Sequence, residues 1–342
     1  MGVTYSSNFL SLIDDVAKVS FEIHADVLIR HARLNLPDST SSMKQLPSLE
    51  AEKQKSGILI SAGPSVHRKG SIKKILQSGY KGTIVAVDGA YIACLKAGLI
   101  PDFVVTLDPH PTRIVRWFGD HHFEEHTKSD DYFARQDLDI EFRKNTIEQN
   151  KQHIELVNKY GHLSKAIVAS SAPCNVVERI KEAKMQAFWW NPLVDDPRQA
   201  GSITRQLYEI NKLPCMNTGG NVGAAAWVFA NSILKLRSIG LVGMDFGYYS
   251  DTPLEKTQRY YELIERLGGN DGIEQCFVHY EFPLTKERFY IDPIYFWYRK
   301  NFLELLKKSS SKTYNCTEGG TLFGEEVECV TLYSFLEFAR KG

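Results

Sequence analysis

The chain has 342 residues, 43% of them hydrophobic and 24% charged, and its 41 Lys and Arg balance 41 Asp and Glu. A net charge of zero argues against a general affinity for nucleic acid, which draws on a basic excess. No apolar run approaches the roughly 18 residues of a membrane span, and the opening "MGVTYSSNFLSLIDDVAKV" lacks the basic start and apolar core of a secretory signal.

Residues 8 to 36 carry apolar side chains at helical spacing (Phe9, Leu10, Ile13, Val16, Val19, Ile23, Val27), which predicts one or two N-terminal helices. The polar stretch 36 to 56, punctuated by Pro and Ser, reads as a linker. Then "GILISAGPSV", "GTIVAVDGA" and "PDFVVTLDP" supply three short apolar runs separated by helical patterns. Unbroken apolar strands alternating with helices predict a parallel sheet buried on both faces. Residues 110 to 165, rich in charge and His, interrupt the rhythm as a helical insertion. The alternation resumes with "KAIVASS", "QAFWWN", the apolar helix "NVGAAAWVFANSILKL" and the strand "SIGLVGMD". The aromatic stretch 246 to 312 shows two helix patterns and reads as a helical, lid-like insertion that closes over a bound ligand. "EEVECVTLYSFLEFAR" closes with a short strand and a helix. The fold class is therefore α/β, a Rossmann-like and mostly parallel sheet with flanking helices. Residues 1–50 are a helical segment with linker, and 51–342 are the domain with insertions at about 110–165 and 246–312.

Polar residues gather at the predicted strand ends. Ser61 to Ser65, Asp88, Asp108 and Asp245 all follow an apolar run. In an open α/β sheet ligands bind outside those ends, although an aspartate in that position could equally cap the next helix. Gly63-Pro64-Ser65 is neither a Walker A loop nor a dinucleotide fingerprint. A glycine there permits close backbone approach, and a serine at a helix start can help hold an anion; a tight structural turn would use the same residues. Thr218-Gly219-Gly220-Asn221 forms a second such start before the apolar helix, open to the same two readings. The six cysteines include no C-x-x-C pair and read as reduced, mostly buried thiols of a cytoplasmic protein. The sequon at Asn315 then carries no glycan. The myristoylation pattern at Gly2 and Ser6 is too short to redirect that reading.

These pieces resemble a known family. "SAGPSV", "IVAVDGAYIACLKAGLIPDFVVTLDP", "TGGNVGAAAWVFA", "IGLVGMDFGY" and the closing "YNCTEGGTLFG" are similar, in order and spacing, to the domain shared by the motility-associated factor (Maf) flagellin glycosyltransferases and the archaeal 6-hydroxymethylpterin diphosphokinases of MptE type. The Gly-Pro-Ser turn also looks like the nucleotide loop of bacterial sialyltransferases. The resemblance implies a transferase that takes a sugar, of nonulosonic or sialic-acid type, from a CMP-activated donor. Gly63, Pro64, Ser65, Asp88, Gly89, Thr218, Gly219, Gly220, Asn221, Asp245 and Tyr248 would bind the nucleotide-sugar, and the acceptor would be a glycan or protein. The diphosphokinase branch carries Asp-Leu-Asp after its third strand, a pair suited to Mg²⁺. Here Thr106-Leu107-Asp108 replaces it. That departure favours glycosyl transfer with no required cofactor over ATP-dependent diphosphoryl transfer with Mg²⁺; a non-catalytic nucleotide-binding protein is the third reading. The N-terminal region is much shorter than in the flagellin enzymes, which puts flagellin itself in doubt as acceptor.

Inverting transfer needs a base for the acceptor proton. His110, just past Asp108, is the first candidate and His279 the second. His121, His122 and His126 lie in an acidic loop without cysteine and read as a surface cluster, so no metal site is expected. Tyr248, Tyr249 and Tyr290 are either helix core or a cover for phosphate and sugar.

Overall fold

The computed structural model describes residues 6–129, 140–257 and 260–341. A nine-stranded sheet of parallel neighbours carries the molecule, in the order β12-β11-β7-β1-β2-β3-β4-β5-β6. Its strands are β1 Ser56–Ile60, β2 Thr83–Val87, β3 Phe103–Thr106, β4 Lys165–Ala169, β5 Gln186–Leu193, β6 Cys215–Asn217, β7 Ser238–Val242, β11 Lys312–Asn315 and β12 Glu328–Cys329. Side chains on the central strands alternate between two apolar layers. Phe103, Val105, Ile167, Ala169, Phe188 and Trp190 join one cluster. Val104, Ala166, Val168 and Trp189 join the other. That period of two, with both faces covered, is why the strands read as continuous apolar runs.

The chain lays β1 to β6 outward in one direction, then crosses back to set β7 on the other side of β1. The crossover is the helix Val222–Val228, which packs over β2 and β3 and runs on into a π turn, Phe229–Ile233. Strand order thus reverses between β1 and β7. In open α/β sheets, ligands bind outside the strand ends near such a reversal.

The insertion after β3 contains the helices Pro111–Ile114, Phe123–Ser129 and Ile140–Tyr160; its middle, 130–139, lies outside the described residues. The region 246–312 departs from the all-helical expectation. Beside the helices Tyr260–Leu267 and Pro293–Leu306 it folds an antiparallel sheet, β8 Tyr248–Tyr249, β10 Arg288–Ile291 and β9 Val278–Glu281 in that order. Runs of two to four residues interleaved with polar ones leave no period to read. The core strands β6 and β11 are equally short and polar, and carry no period in the sequence.

The N-terminal segment is a single helix, Ser7–Leu34, laid across the domain. Phe9 packs with Val278 and Ile291, while Leu28 and Ala32 pack with Ile203 and Leu207. At its end, Asn35 Nδ2 donates to the carbonyls of Ser170 and Ala172 beyond β4, at 2.9 and 2.7 Å. The stretch after it is not loose: Met43 is buried, and the Trp189 amide donates to the Ser41 carbonyl. Of the cysteines, Cys94, Cys276 and Cys316 are buried, but Cys174 and Cys215 are exposed, and all six are free thiols. Among the described residues no helix is long and apolar enough to cross a membrane.

Candidate functional site

The turn after β1 sits beside the reversal point, and Asp245, after β7, reaches into it. Ser65 Oγ donates to Asp245 Oδ2 at 2.8 Å, and the Ser65 amide approaches the same oxygen at 3.4 Å. A Cβ on Gly63 would stand 1.8 Å from that oxygen and 2.4 Å from the Gly243 carbonyl. The glycine is needed so that Asp245 can close on the turn. Asp245 precedes no helix, so the capping explanation fails for it. Burial pushes its carboxyl up to about 7, opposed by the Ser65 hydroxyl and amide.

On the other side of β1, a Cβ on Gly89 would lie 3.0 Å from Ala62 Cβ, which sets Asp88 against the same turn. Asp88 Oδ1 accepts from the Gly89 amide at 2.7 Å. Burial raises its carboxyl to about 7, Asp108 adds to the rise, and Thr106 and Leu107 lie close enough to oppose it. Neither Asp88 Oδ2 nor Thr106 Oγ1 makes a hydrogen bond of good geometry. Asp108 is exposed and accepts from the His110 amide at 2.8 Å, which is local loop capping. His110 is half-buried, with Nδ1 3.2 Å from Thr112 Oγ1.

Asn221 caps the crossover helix through Oδ1, which accepts from the Ala224 amide at 2.9 Å. A Cβ on Gly223 would be 3.1 Å from Ser61 Oγ and 3.2 Å from Asn221 Oδ1, so the second helix start meets the first. Gly219 and Gly220 take positive φ of 55° and 88° in the turn before it. A Cβ on Gly220 would strike Trp297 at 2.3 Å. Thr218 Oγ1 accepts from the Gly220 amide.

The structure thus brings together Gly63, Pro64, Ser65, Asp88, Gly89, Asn221 and Asp245, with Asp108 and His110 beside Asp88 and the Thr218–Gly220 turn behind Asn221. It does not bring in the remaining two. Tyr248 turns into the small sheet, where its hydroxyl donates to buried Asp292 at 2.9 Å. His279 is exposed on β9, its ring 5.8 Å from that of Tyr290. Tyr249, one residue on, lies close enough for the Asp245 charge to help raise its phenol, after burial, and Arg68 covers its ring at 4.1 Å. The loop Thr317–Gly320 was missed as part of the site. A Cβ on Gly320 would be 2.4 Å from the Asp245 carbonyl, and the Thr321 amide donates to that carbonyl at 2.8 Å. Its signal was two glycines after the polar strand β11.

Ser61 Oγ, Asn221 Nδ2, Asp245 Oδ1, Tyr249 OH and Thr317 Oγ1 are buried side-chain atoms without a hydrogen-bond partner, and the buried Asp88 Oδ2 and Thr106 Oγ1 lie close together without a well-aligned bond. They sit at or just beyond the ends of β1, β2, β3, β7, β8 and β11, and at the crossover helix start. Elsewhere the histidine cluster is structural: His121 meets Glu182 at 2.8 Å and His126 meets buried Asp120 at 2.6 Å. Among the described residues no three His, Cys, Asp or Glu side chains converge as a metal set.

Residues 31–126 match the family described as 6-hydroxymethylpterin diphosphokinase MptE-like. An uncharacterized protein of Treponema pallidum (strain Nichols) is 35% identical over 94 residues, 27% of this chain and 43% of that protein. Among solved structures, the Maf glycosyltransferase from Magnetospirillum magneticum AMB-1 shares the fold with a TM-score of 0.55 at 14% identity, over 98% of this chain and 40% of that one. The chain therefore spans less than half the length of either relative. The resemblance to the Maf/MptE-like domain family, and the Rossmann-like fold it implies, are borne out.

Proposed function

We propose that this Maf/MptE-like domain is a glycosyltransferase, moving a sialic-acid-like sugar from a CMP-activated donor to a hydroxyl of a glycan or protein acceptor. The observation that carries the reading is the set of buried, unpartnered polar atoms flanking the β1–β7 reversal, Ser61 Oγ, Asn221 Nδ2 and Asp245 Oδ1, with the buried Asp88 and Thr106 beside them. Leaving one such group unsatisfied costs about 1–3 kcal/mol, and a ligand with many hydroxyls and phosphate oxygens would satisfy several at once. The fold shared with a Maf glycosyltransferase supports the same reading.

In this mechanism the acceptor oxygen attacks the anomeric carbon as its proton passes to the His110 ring. The bond from carbon to phosphate oxygen breaks, and CMP leaves with the electron pair. Its phosphate is a weak base, so the leaving group needs hydrogen bonds more than an acid. Asp108, which accepts from the His110 amide, fixes the loop that presents the ring. No cofactor is required.

One observation favours a second reading. The charges of Asp88 and Asp108 interact across the ends of β2 and β3, and both lie within the segment that matches the MptE-like family. In an ATP-dependent diphosphokinase acting on a hydroxymethylpterin-like alcohol, these two carboxylates would hold Mg²⁺ against the triphosphate.

The assay offers CMP-sugars and, separately, ATP with a hydroxymethylpterin, each with and without EDTA. CMP release that survives EDTA and falls about 10²-fold or more in His110→Ala supports glycosyl transfer. AMP release that depends on Mg²⁺ and the pterin overturns it in favour of the diphosphokinase.

A further inference from the structure

We propose that the ligand's phosphate is held by the Ser61 hydroxyl and the Asn221 carboxamide, and not by the Gly-Pro-Ser turn that the sequence singles out. The inference rests on the reading that the site takes a nucleotide, but not on which nucleotide.

The turn is already filled. Its Ser65 hydroxyl and amide face Asp245 Oδ2, the Gly63 amide donates to the Gly243 carbonyl at 2.9 Å, and the Val66 amide donates to the Gly63 carbonyl at 3.2 Å. The donors that would cradle an anion are spent, and a carboxylate occupies the place the anion would take. A phosphate arriving there would have to displace Asp245 from a fully buried position.

At the first residue after β1 the opposite holds. Ser61 is 7% exposed, and its hydroxyl has no partner; nor has Asn221 Nδ2. Both side chains border the space beside Gly223, where a Cβ would lie 3.1 Å from Ser61 Oγ and 3.2 Å from Asn221 Oδ1, with the Met244 methyl at 2.9 Å closing its far side. The cap settles which end of the Asn221 amide faces the site. Because Oδ1 accepts from the Ala224 amide, the outward group is the NH₂, which can only donate. A ligand atom meeting it must be an acceptor, and the Ser61 hydroxyl can donate to a second oxygen of the same group. A side chain at 223 would crowd Ser61 Oγ, the Asn221 carboxamide and Met244, which is a physical reason for glycine at that position.

The test measures dissociation constants by calorimetry for CMP against cytidine and AMP against adenosine, using the full chain. Asn221→Ser keeps a capping oxygen but replaces the carboxamide NH₂ with a hydroxyl one atom shorter; Asn221→Asp keeps the cap and replaces the donor with a repelling charge; Ser61→Ala removes the hydroxyl. Melting curves check that each variant folds. Each of the three should weaken the nucleotide about tenfold or more and leave the nucleoside unchanged, the factor expected for one hydrogen bond to a charged group. Asn221→Asp should be the worst, and Ser65→Ala should cost less than any of them. Equal losses for nucleotide and nucleoside would overturn the assignment, as would the larger loss in Ser65→Ala. If AMP follows the expected pattern and CMP does not bind, the subsite stands and the CMP-sugar reading falls. If neither nucleotide binds, both fall.

Discussion

Asp88 and Asp245 are buried carboxylates on either side of one turn, each pushed up to about 7 chiefly by burial. In the unfolded chain they would titrate near 3.9. Between about pH 4 and pH 7 the folded protein therefore holds protons that the unfolded chain releases, and stability falls as pH rises through that window. Replacement by asparagine removes the ionisation. Asp245→Asn is expected to raise the melting temperature relative to the parent more at pH 8 than at pH 4.5, and an unchanged pH slope of stability would refute the assignment. Gly63→Ala tests the same contact sterically. Its Cβ has no room beside Asp245 Oδ2, and overpacking of this kind costs about 1–3 kcal/mol. Urea denaturation should show that loss, and Gly79→Ala, where a Cβ meets nothing but φ is +64°, separates backbone strain from collision.

Ion pairs bind the helices after β1 to the region that follows β7. Arg68 meets Asp251 at 2.9 Å, Lys69 meets Glu287 at 2.6 Å and Lys74 meets Glu318 at 3.3 Å. Each is partly exposed, so each contributes at most about 1 kcal/mol and is weakened by salt. The ion pairs thus add individually weak, salt-sensitive ties to the small sheet and the Thr317–Gly320 loop, beside buried bonds such as that from the Thr321 amide to the Asp245 carbonyl. Hydrogen exchange in 246–257 and 288–291 is expected to quicken at about 0.5 M salt and to slow when nucleotide binds, while β1 to β5 stay protected. Equal protection in all three conditions would rule out a closing element there. The N-terminal helix is held differently, by the buried Asn35 amide on two carbonyls. Asn35→Ala leaves both without that donor and should cost about 1–3 kcal/mol, read as a lowered melting temperature.

At the scale of the whole molecule the site is assembled from distant parts of the chain. The segment that matches the MptE-like family, 31–126, brings the ends of β1, β2 and β3, while Asn221, Asp245 and Thr317 come from outside it. A ligand spanning these parts should stabilise the fold as a unit. Nucleotide at a hundred times its dissociation constant is expected to add about 2.7 kcal/mol. Thermal melting with CMP, and separately with ATP and Mg²⁺, should show which nucleotide does so; a melting temperature indifferent to both would count against a nucleotide site.

The alternation of apolar runs and helical patterns was enough to call a parallel sheet, because burial on both faces is written into each strand locally. The same local reading placed Ser61 to Ser65, Asp88, Asp108 and Asp245 at strand ends, and all four groups stand there. What those residues face was decided only in three dimensions. Strand order has no signature in periodicity, so nothing local said that β7 would lie beside β1 and bring Asp245 across 180 positions onto Ser65. That meeting fills the Gly-Pro-Ser turn and leaves the unsatisfied donors on Ser61 and Asn221 instead. The strands of the small sheet are too short to carry a period, and Thr317–Gly320 joins the site only through its packing on Asp245. A residue type can promise a hydrogen bond, but its partner is chosen by contacts between segments far apart in the chain.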